Sequence, residues 1–149
     1  QNFDVQIATL NDEIAKSGKS LNDIVIMASI LEREARTYED RRMIAGVLWR
    51  RLKINMALQV DAAFLYSIGR TTFTLTKDDL RNADDPYNTY VNKGLLPGAI
   101  GSPSLSSLQA AVNPIDKGYL FYRADNSNVT HYSKTYEEHL RLKALYLGS

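Results

Sequence analysis

The chain has 149 residues, enough for one domain with its own hydrophobic core. Its composition is 44% hydrophobic and 23% charged with a formal net charge of +1, which provides no electrostatic footprint for nucleic acid or a membrane surface. The absence of cysteine excludes disulfides, thiolate metal sites and cysteine nucleophiles. With only two histidines, His131 and His139, we expect no metal site and no cofactor. No window has the ~18 consecutive apolar residues of a membrane span. Since the chain begins at Gln1, we expect a fragment of a longer protein.

The first half of the chain has the apolar spacing of helices. The predicted helices lie within residues 1–18, at about 22–36 and at about 38–53. Ser20 to Asn22 can cap the second of these helices. On the third, four arginines are expected on the side opposite the apolar residues, namely Arg41, Arg42, Arg50 and Arg51. A shorter apolar run, 61–68, ends at Gly69.

The second half of the chain begins with a long segment rich in turn formers, 70–104, whose aromatic residues indicate an ordered loop region. A short helix is predicted at about 104–112, followed by two strands, 119–124 and 128–133, joined by a turn at Asp125–Ser127. A last helix is predicted at about 135–147. The sum is a helix-rich α+β domain with a small antiparallel hairpin. We divide it into a lead-in helix, 1–20, and a main domain, 21–149.

Two glutamates, Glu32 and Glu34, border the apolar stripe of the most hydrophobic predicted helix. An ionised carboxylate is costly to desolvate, so each is either an edge residue reaching water or a functional acid. On a helical wheel the two lie roughly 160° apart, so both cannot enter one small site from a straight helix. The pattern therefore favours one principal acid over a pair of carboxylates.

The loop region and its borders are rich in amides, carboxylates and aromatic rings, a set that suits a sugar better than a phosphate; its members are Gln59, Asp61, Asn82, Tyr87, Asn88, Thr89, Tyr90 and Asn113. There is no phosphate-binding glycine pattern and no serine in a nucleophile-elbow context. Alternation along the second strand places His131 and Ser133 on one face. His131 could equally pack against the core, and Glu138 and His139 could be a solvated pair.

An ordered set of short strings runs across about residues 24–139. These strings are Ala28-Ser-Ile-Leu-Glu32-Arg-Glu34, Ile44-Ala-Gly-Val-Leu with Arg51-Leu52, Met56 with Leu58-Gln59 and Asp61, Tyr87-Asn-Thr-Tyr90, Gly94-Leu with Pro97-Gly98 and Ile100, Ser102-Pro103, Ser107 with Ala110-Ala111, Asn113-Pro114, Tyr119-Leu-Phe-Tyr, His131 with Ser133, and Glu138-His139. In this order and spacing the set resembles the endolytic murein transglycosylases of the MltG (YceG-like) type. The sequence departs from the family pattern at Arg50, Val60, Ala62, Ala63 and Leu96.

The resemblance implies cleavage of peptidoglycan glycan strands between N-acetylmuramic acid and N-acetylglucosamine, without water, to give 1,6-anhydromuramic acid ends. It implies a groove with a lysozyme-like arrangement and Glu32 as the single general acid and base. Glu32 would then need a raised pKa, with Val25, Ala28 and Leu31 as its apolar wall. Glu34 is expected to orient the site, pair with an arginine or support the fold.

The same resemblance suggests the residues that contact the glycan: Gln59, Asp61, Tyr87, Asn88, Thr89 and Tyr90, then Asn113, His131 and Ser133. It implies a membrane-anchored parent protein at the outer face of the cytoplasmic membrane. Its implied partners are the glycan strand and cell-wall synthases, with no nucleic acid. Two alternatives stay open: a hydrolytic, lysozyme-like muramidase and a non-catalytic peptidoglycan-binding module.

Overall fold

The computed structural model describes residues 10–68, 81 and 83–147. In chain order its elements are helix α1 (Asn11–Ser17), α2 (Leu21–Glu34), α3 (Tyr38–Lys53), α4 (Asp61–Ile68), α5 (Leu105–Val112), strands β1 (Phe121–Ala124) and β2 (Thr130–Ser133), and α6 (Tyr136–Leu147). The helix-rich α+β class and the antiparallel hairpin are confirmed. The first half of the predicted helix within residues 1–18, the first part of the segment 70–104, and the residues Gly69 and Asn82 lie outside the described part.

Three helices begin where the sequence supplies a capping hydroxyl. Ser20 accepts from the backbone N–H of Asp23 at 3.1 Å to start α2, and Thr37 accepts from Asp40 at 3.1 Å to start α3. Ser104 accepts from Ser107 at 3.3 Å and starts α5. Each contact satisfies one of the N–H groups that the first helical turn leaves without a partner.

Helix α2 forms the centre of the core and packs against α3, α4 and α5. Its residues Ile24, Met27 and Leu31, which belong to the apolar stripe predicted for this helix, are fully buried. Burying each such side chain contributes roughly 1.5–3 kcal/mol. Leu10, which precedes α1, joins the same core. The boundary between a lead-in at 1–20 and the main domain stays a prediction.

The segment between α5 and β1 lies against α3, and Gly46 makes that approach possible. A Cβ atom at Gly46 would lie 1.9 Å from the backbone oxygen of Ile115, which is far inside van der Waals contact. The N–H of Ile115 donates to the carbonyl of Arg42 at 3.0 Å. This close contact fixes where the chain enters the hairpin.

The hairpin pairs Tyr122 with Tyr132 and Arg123 with His131. The Tyr132 hydroxyl donates to Asp40 of α3 at 3.1 Å, and the Tyr122 hydroxyl donates to Glu34 at the end of α2. Both tyrosines therefore tie the hairpin to the helical core. Helix α6 packs on the strands as well.

The described residues contain no helix long and apolar enough to cross a membrane.

Candidate active site

A cleft of about 460 Å³ opens between the end of α2, the start of α4 and the hairpin. Charged and aromatic side chains dominate its wall, which is formed by Arg33, Glu34, Ile44, Arg51, Gln59, Asp61, Tyr90, Phe121, Tyr122, Arg123, Ala124, Thr130, Tyr136 and His139. Of the predicted site residues, Glu34, Gln59, Asp61 and Tyr90 line this cleft. It is large enough for a sugar residue and has the aromatic surfaces and hydrogen-bonding groups that sugars need.

Glu34 is the last residue of α2, and its carboxyl group faces the cleft. Its Oε1 accepts a hydrogen bond from the hydroxyl of Tyr122. Burial raises the pKa of Glu34; the Tyr122 hydrogen bond opposes that shift, the negative charge of Asp61 adds to it, and the positive charge of Arg51 opposes it. The net direction is upward, so the protonated form of Glu34 persists to higher pH than for an ordinary glutamate.

A second carboxylate, Asp61, stands at the first position of α4 and lines the same cleft. The Tyr90 hydroxyl donates to its Oδ1. Burial and the hydrogen bond to Asp61 raise the pKa of Tyr90, which keeps this phenol protonated as a donor. Gln59, two residues before Asp61, lies in the left-handed region with φ 57°, a strained conformation for a residue other than glycine.

Thr89 bonds to the backbone of the strained residue Gln59 and of the residue that follows it. The carbonyl of Thr89 accepts from the N–H of Gln59 at 3.1 Å, and its Oγ1 accepts from the N–H of Val60 at 2.8 Å. The adjacent Asn88 accepts from the N–H of Tyr90 at 3.1 Å. Thr89 and Asn88 are both buried and do not line the cleft. Their predicted contact with glycan stays a prediction, and their burial disfavours it; they place Gln59, Asp61 and Tyr90 instead.

Arg51 forms part of the cleft wall although it is only 5% exposed. Its Nε donates to the carbonyl of Leu120 at 2.9 Å, and its Nη1 donates to the carbonyl of Leu58. The guanidinium lies 5.6 Å from the ring centroid of Phe121. The prediction that Arg51 lies on the polar side of its helix is wrong, because it follows Ile44 and Leu48 at helical spacing and faces inward with them.

Glu32 lies on the other border of α2 and does not line the cleft. Its Oε1 accepts from the N–H of Ser104 at 2.9 Å and from the hydroxyl of Ser107 at 2.7 Å. Its Oε2 lies 3.5 Å from the guanidinium of Arg41. The carboxylate therefore stabilises the first turn of α5, which is where a helix favours negative charge.

The predicted rise in the pKa of Glu32 is wrong. Burial does act to raise it, but hydrogen bonds from Ser104 and Ser107 and the charge of Arg41 outweigh burial, and the pKa is lowered. Ala28 and Leu31, the expected apolar wall, are fully buried in the core, and the carboxyl group points away from them to α5. An acid stabilised in its ionised form is poorly suited to donate a proton at neutral pH.

Two of the other predicted contact residues have structural partners elsewhere. The Asn113 amide donates to Glu13 of α1 at 2.7 Å, at the end of α5. The Nε2 of His131 lies 2.7 Å from Oδ2 of Asp125 within the hairpin turn. Neither Asn113 nor His131 lines the cleft, so their predicted contact with glycan has no support in this geometry.

Tyr87 and Ser133 also lie outside the cleft wall. The Tyr87 ring packs beside that of Tyr66, with centroids 5.8 Å apart. Ser133 is buried, and its hydroxyl has no hydrogen-bond partner among the residues that the structure describes. A buried hydroxyl of this kind cannot reach a polymer without rearrangement of the hairpin.

Sequence reasoning missed the part that the hairpin and α6 play in the cleft, which places Tyr122, Arg123, Tyr136 and His139 in its wall. The available signal was the pairing of two tyrosines at matching strand positions, because Tyr122 and Tyr132 had to face the helices together. The described residues hold no group of three or more histidine, aspartate or glutamate side chains that could bind a metal ion.

The departures from the family pattern fall in the core and on the surface. Val60, Ala62, Ala63 and Leu96 are buried apolar residues. Arg50 forms an exposed two-point ion pair with Asp116, with distances of 2.8 and 3.0 Å. None of the five lines the cleft.

The fold and the cleft define an α+β protein that presents a partly desolvated carboxylic acid to a sugar-sized opening. The chain belongs to the YceG-like family, whose model matches residues 1–144. It is similar to a Bacillus subtilis protein named endolytic murein transglycosylase, with 38% identity over 143 residues that cover 96% of this chain and 39% of the relative. A Streptococcus pneumoniae protein of the same name is 33% identical over 152 residues, covering 99% of this chain and 28% of the relative.

A crystal structure of a yceG-like protein from Listeria monocytogenes superposes with a TM-score of 0.86 at 42% identity. The match covers 94% of this chain and 46% of that one. The chain thus spans less than half the length of these relatives, from 28% to 46%.

Proposed function

We propose that this chain is the catalytic part of a lytic transglycosylase that cleaves peptidoglycan glycan strands between N-acetylmuramic acid and N-acetylglucosamine. The proposed product ends in 1,6-anhydromuramic acid, and no water is consumed. The names of the two curated relatives support the substrate and the reaction class. The observation that carries the proposal is the place of Glu34 in the wall of a cleft that Tyr90, Tyr122 and Arg123 also line, where burial raises the pKa of this glutamate.

Glu34, rather than Glu32, is the general acid and base of this proposal. A glycosidase acid has to hold its proton near neutral pH and be reachable by the glycosidic oxygen. Glu34 fits both requirements better than an ordinary glutamate, because burial raises its pKa and its side chain lines the cleft. Glu32 meets neither, since its pKa is lowered and its carboxylate caps α5.

The chemistry uses Glu34 twice. Protonated Glu34 gives its proton to the glycosidic oxygen as the bond from the muramic acid C1 breaks, which releases the next sugar with a new hydroxyl. The cationic C1 is stabilised by the substrate's own acetamido oxygen. The Glu34 carboxylate then removes the proton from the C6 hydroxyl, O6 bonds to C1, and Glu34 is protonated again. No second carboxylate nucleophile is needed, unlike in an ordinary retaining glycosidase.

The rest of the cleft wall is proposed to hold the glycan. Gln59 and Arg123 are exposed polar side chains that can bond to hydroxyl and acetamido groups. The rings of Phe121 and Tyr136, 5.8 Å apart, offer an apolar surface for a sugar ring. Of the residues first predicted from the sequence, Gln59, Asp61 and Tyr90 keep a proposed place at the substrate.

The decisive experiment compares Glu34→Gln with Glu32→Gln on purified peptidoglycan, with the products read by mass spectrometry. Glu34→Gln is expected to lose anhydro-ended products by at least about 100-fold, the usual contribution of a general acid. Glu32→Gln is its matched control, because the same change is made two residues away on the same helix. It is expected to keep most of the activity at a temperature where it stays folded.

Each alternative has its own outcome in this experiment. Loss of activity in Glu32→Gln but not in Glu34→Gln, with both variants folded, would return the catalytic role to Glu32. Products that carry an added water and a reducing end would identify a hydrolytic muramidase. Tight binding of glycan strands without any product over a long incubation would identify a binding module.

The site of action follows from the proposed substrate. Peptidoglycan lies outside the cytoplasmic membrane, so we place the activity in the cell envelope on that side. The relatives are at least twice as long as the matched region, which leaves room in a parent protein for further segments. A membrane anchor there, and cell-wall synthases as partners, belong to the same proposal.

A further inference from the structure

The cleft contains two carboxylates, and each receives a hydrogen bond from a different tyrosine. Tyr122 of β1 donates to Glu34, and Tyr90 of the loop region donates to Asp61. The two acids come from different helices, α2 and α4, and line the same cleft. Only one of them transfers a proton in the proposed reaction, and the second lies in the same cleft wall, where its charge can act on the first as well as on the glycan.

Several charged or titratable groups line the same cleft as Glu34, on its own helix and on the elements around it. These are Arg33 on its own helix, Arg51 on α3, Asp61 on α4, Tyr90 in the loop region, Tyr122 and Arg123 on β1, and His139 on α6. The positive charge of Arg51 acts on Glu34, but two of the guanidinium's donors, Nε and Nη1, already bond to the backbone carbonyls of Leu120 and Leu58. Burial and neighbouring cations lower the pKa of His139, so it adds little positive charge at neutral pH.

We propose that Asp61, oriented by Tyr90, is a positioning residue whose negative charge keeps the proton on Glu34 until the glycosidic oxygen receives it. This inference rests on the proposed function of Glu34. Asp61 and Tyr122 act on Glu34 in opposite senses, because a nearby negative charge disfavours the carboxylate whereas a donated hydrogen bond favours it. A general acid that later acts as a base needs both influences, since the same group must release and recover one proton in each turnover.

The hydrogen bond from Tyr90 gives this arrangement its geometry. It fixes the position of Oδ1 of Asp61 in the cleft wall. Thr89 in turn bonds to the backbone just before Asp61, where Gln59 has a strained conformation. The strained residue is Gln59, which comes just before Val60 and Asp61. Strained backbone of this kind is common beside residues that position a reacting group. These contacts therefore hold the negative charge of Asp61 at a fixed position relative to Glu34.

The test measures how the rate of anhydro-product release depends on pH. Activity falls on the alkaline side as Glu34 loses its proton. Asp61→Asn should move this alkaline limb to lower pH by on the order of one unit, because a facing negative charge is removed. Tyr122→Phe should move the limb in the opposite direction, to higher pH. Asp61→Glu, which restores the charge, should bring the limb back towards its wild-type position.

Asp116→Asn is the control, since Asp116 pairs with Arg50 on the surface and does not line the cleft. It should leave the pH profile unchanged. An alkaline limb that stays in place in Asp61→Asn, in a folded and active enzyme, would overturn the role of Asp61 while leaving that of Glu34 intact. If the wild-type chain released no anhydro product, the proposed function would fail instead.

A direct titration keeps the two failures apart. Carbon NMR of the Glu34 carboxyl group reports its protonation in wild type and in Asp61→Asn without any substrate. The expected result is a lower titration midpoint in Asp61→Asn and a higher one in Tyr122→Phe. Equal titration midpoints of Glu34 in all three proteins would contradict the proposed role of Asp61, whatever reaction the cleft performs.

Discussion

Glu32 and Glu34 are two residues apart on one helix, and they occupy opposite kinds of environment. Around Glu32, one backbone N–H, one serine hydroxyl and one arginine stabilise the ionised carboxylate. Around Glu34, burial and a second carboxylate disfavour ionisation, and the Tyr122 hydroxyl and the Arg51 charge only partly compensate. The pKa of Glu32 is therefore lowered, whereas that of Glu34 is raised.

The difference shows that the surroundings of a carboxylate, and not its place in a motif, decide what it can do. A fully supported carboxylate such as Glu32 joins elements together, in this case α2, α3 and α5. Glu34 receives a hydrogen bond from Tyr122, and burial raises its pKa. A carboxylate in such surroundings is better suited to exchange a proton. The contrast between the two environments can be tested by changing the residues that create it.

The largest effect on stability is expected at Arg51, the cation of the Glu34 environment. Arg51→Met keeps most of the volume but leaves the buried carbonyls of Leu58 and Leu120 without their donor, at a cost of about 3 kcal/mol. Urea unfolding followed by circular dichroism measures this cost. Arg50→Met is the control, because its ion pair with Asp116 is exposed to solvent and contributes little to stability. Equal losses in the two variants would show that the guanidinium of Arg51 is not a structural link.

A smaller loss of stability is expected for Glu32→Gln. The amide oxygen can still accept from Ser104 and Ser107, so only the charge is lost, at a cost of about 1 kcal/mol at neutral pH for a side chain that is 33% exposed. Because the pKa of Glu32 is lowered in the folded state, its stabilising effect is complete above its ordinary value of 4.5 and is lost as the pH falls below it. The difference between wild type and variant in urea unfolding should therefore shrink at acid pH. A difference that is constant with pH would contradict the assigned contacts.

The sequence predicted most of this scaffold but not the choice between the two acids. Helix α3 begins at Tyr38 and ends at Lys53 as predicted, since Thr37 caps it and apolar spacing runs through it. The helical wheel also separated the two glutamates correctly, because they contact different elements. The helical wheel could not identify those elements. Along the sequence, Ser104 lies 72 residues from Glu32, and Tyr122 lies 88 residues from Glu34. Contacts over such separations come from tertiary packing, which local patterns do not encode.

The loop residues show the same limit. The Tyr87–Tyr90 string was predicted as one group of glycan contacts, yet only Tyr90 lines the cleft. Asn88 and Thr89 turn inward, where they satisfy backbone groups of Tyr90 and Val60. A polar residue in a loop can serve either purpose, and composition alone does not separate them.

The smallest expected effect is a gain in stability for Glu34→Gln. Because the pKa of Glu34 is raised in the folded state, the unfolded chain loses this proton first, and wild-type stability declines as the pH rises above the ordinary value of 4.5. The amide cannot ionise, so the variant should be more stable than wild type at neutral pH by about 0.5 kcal/mol, and equally stable near the acid end. Thermal unfolding at a series of pH values measures this, with Glu32→Gln showing the opposite sign at neutral pH. A variant that is less stable than wild type at neutral pH would mean that the fold favours the Glu34 carboxylate, and that the two acids differ less than their surroundings indicate.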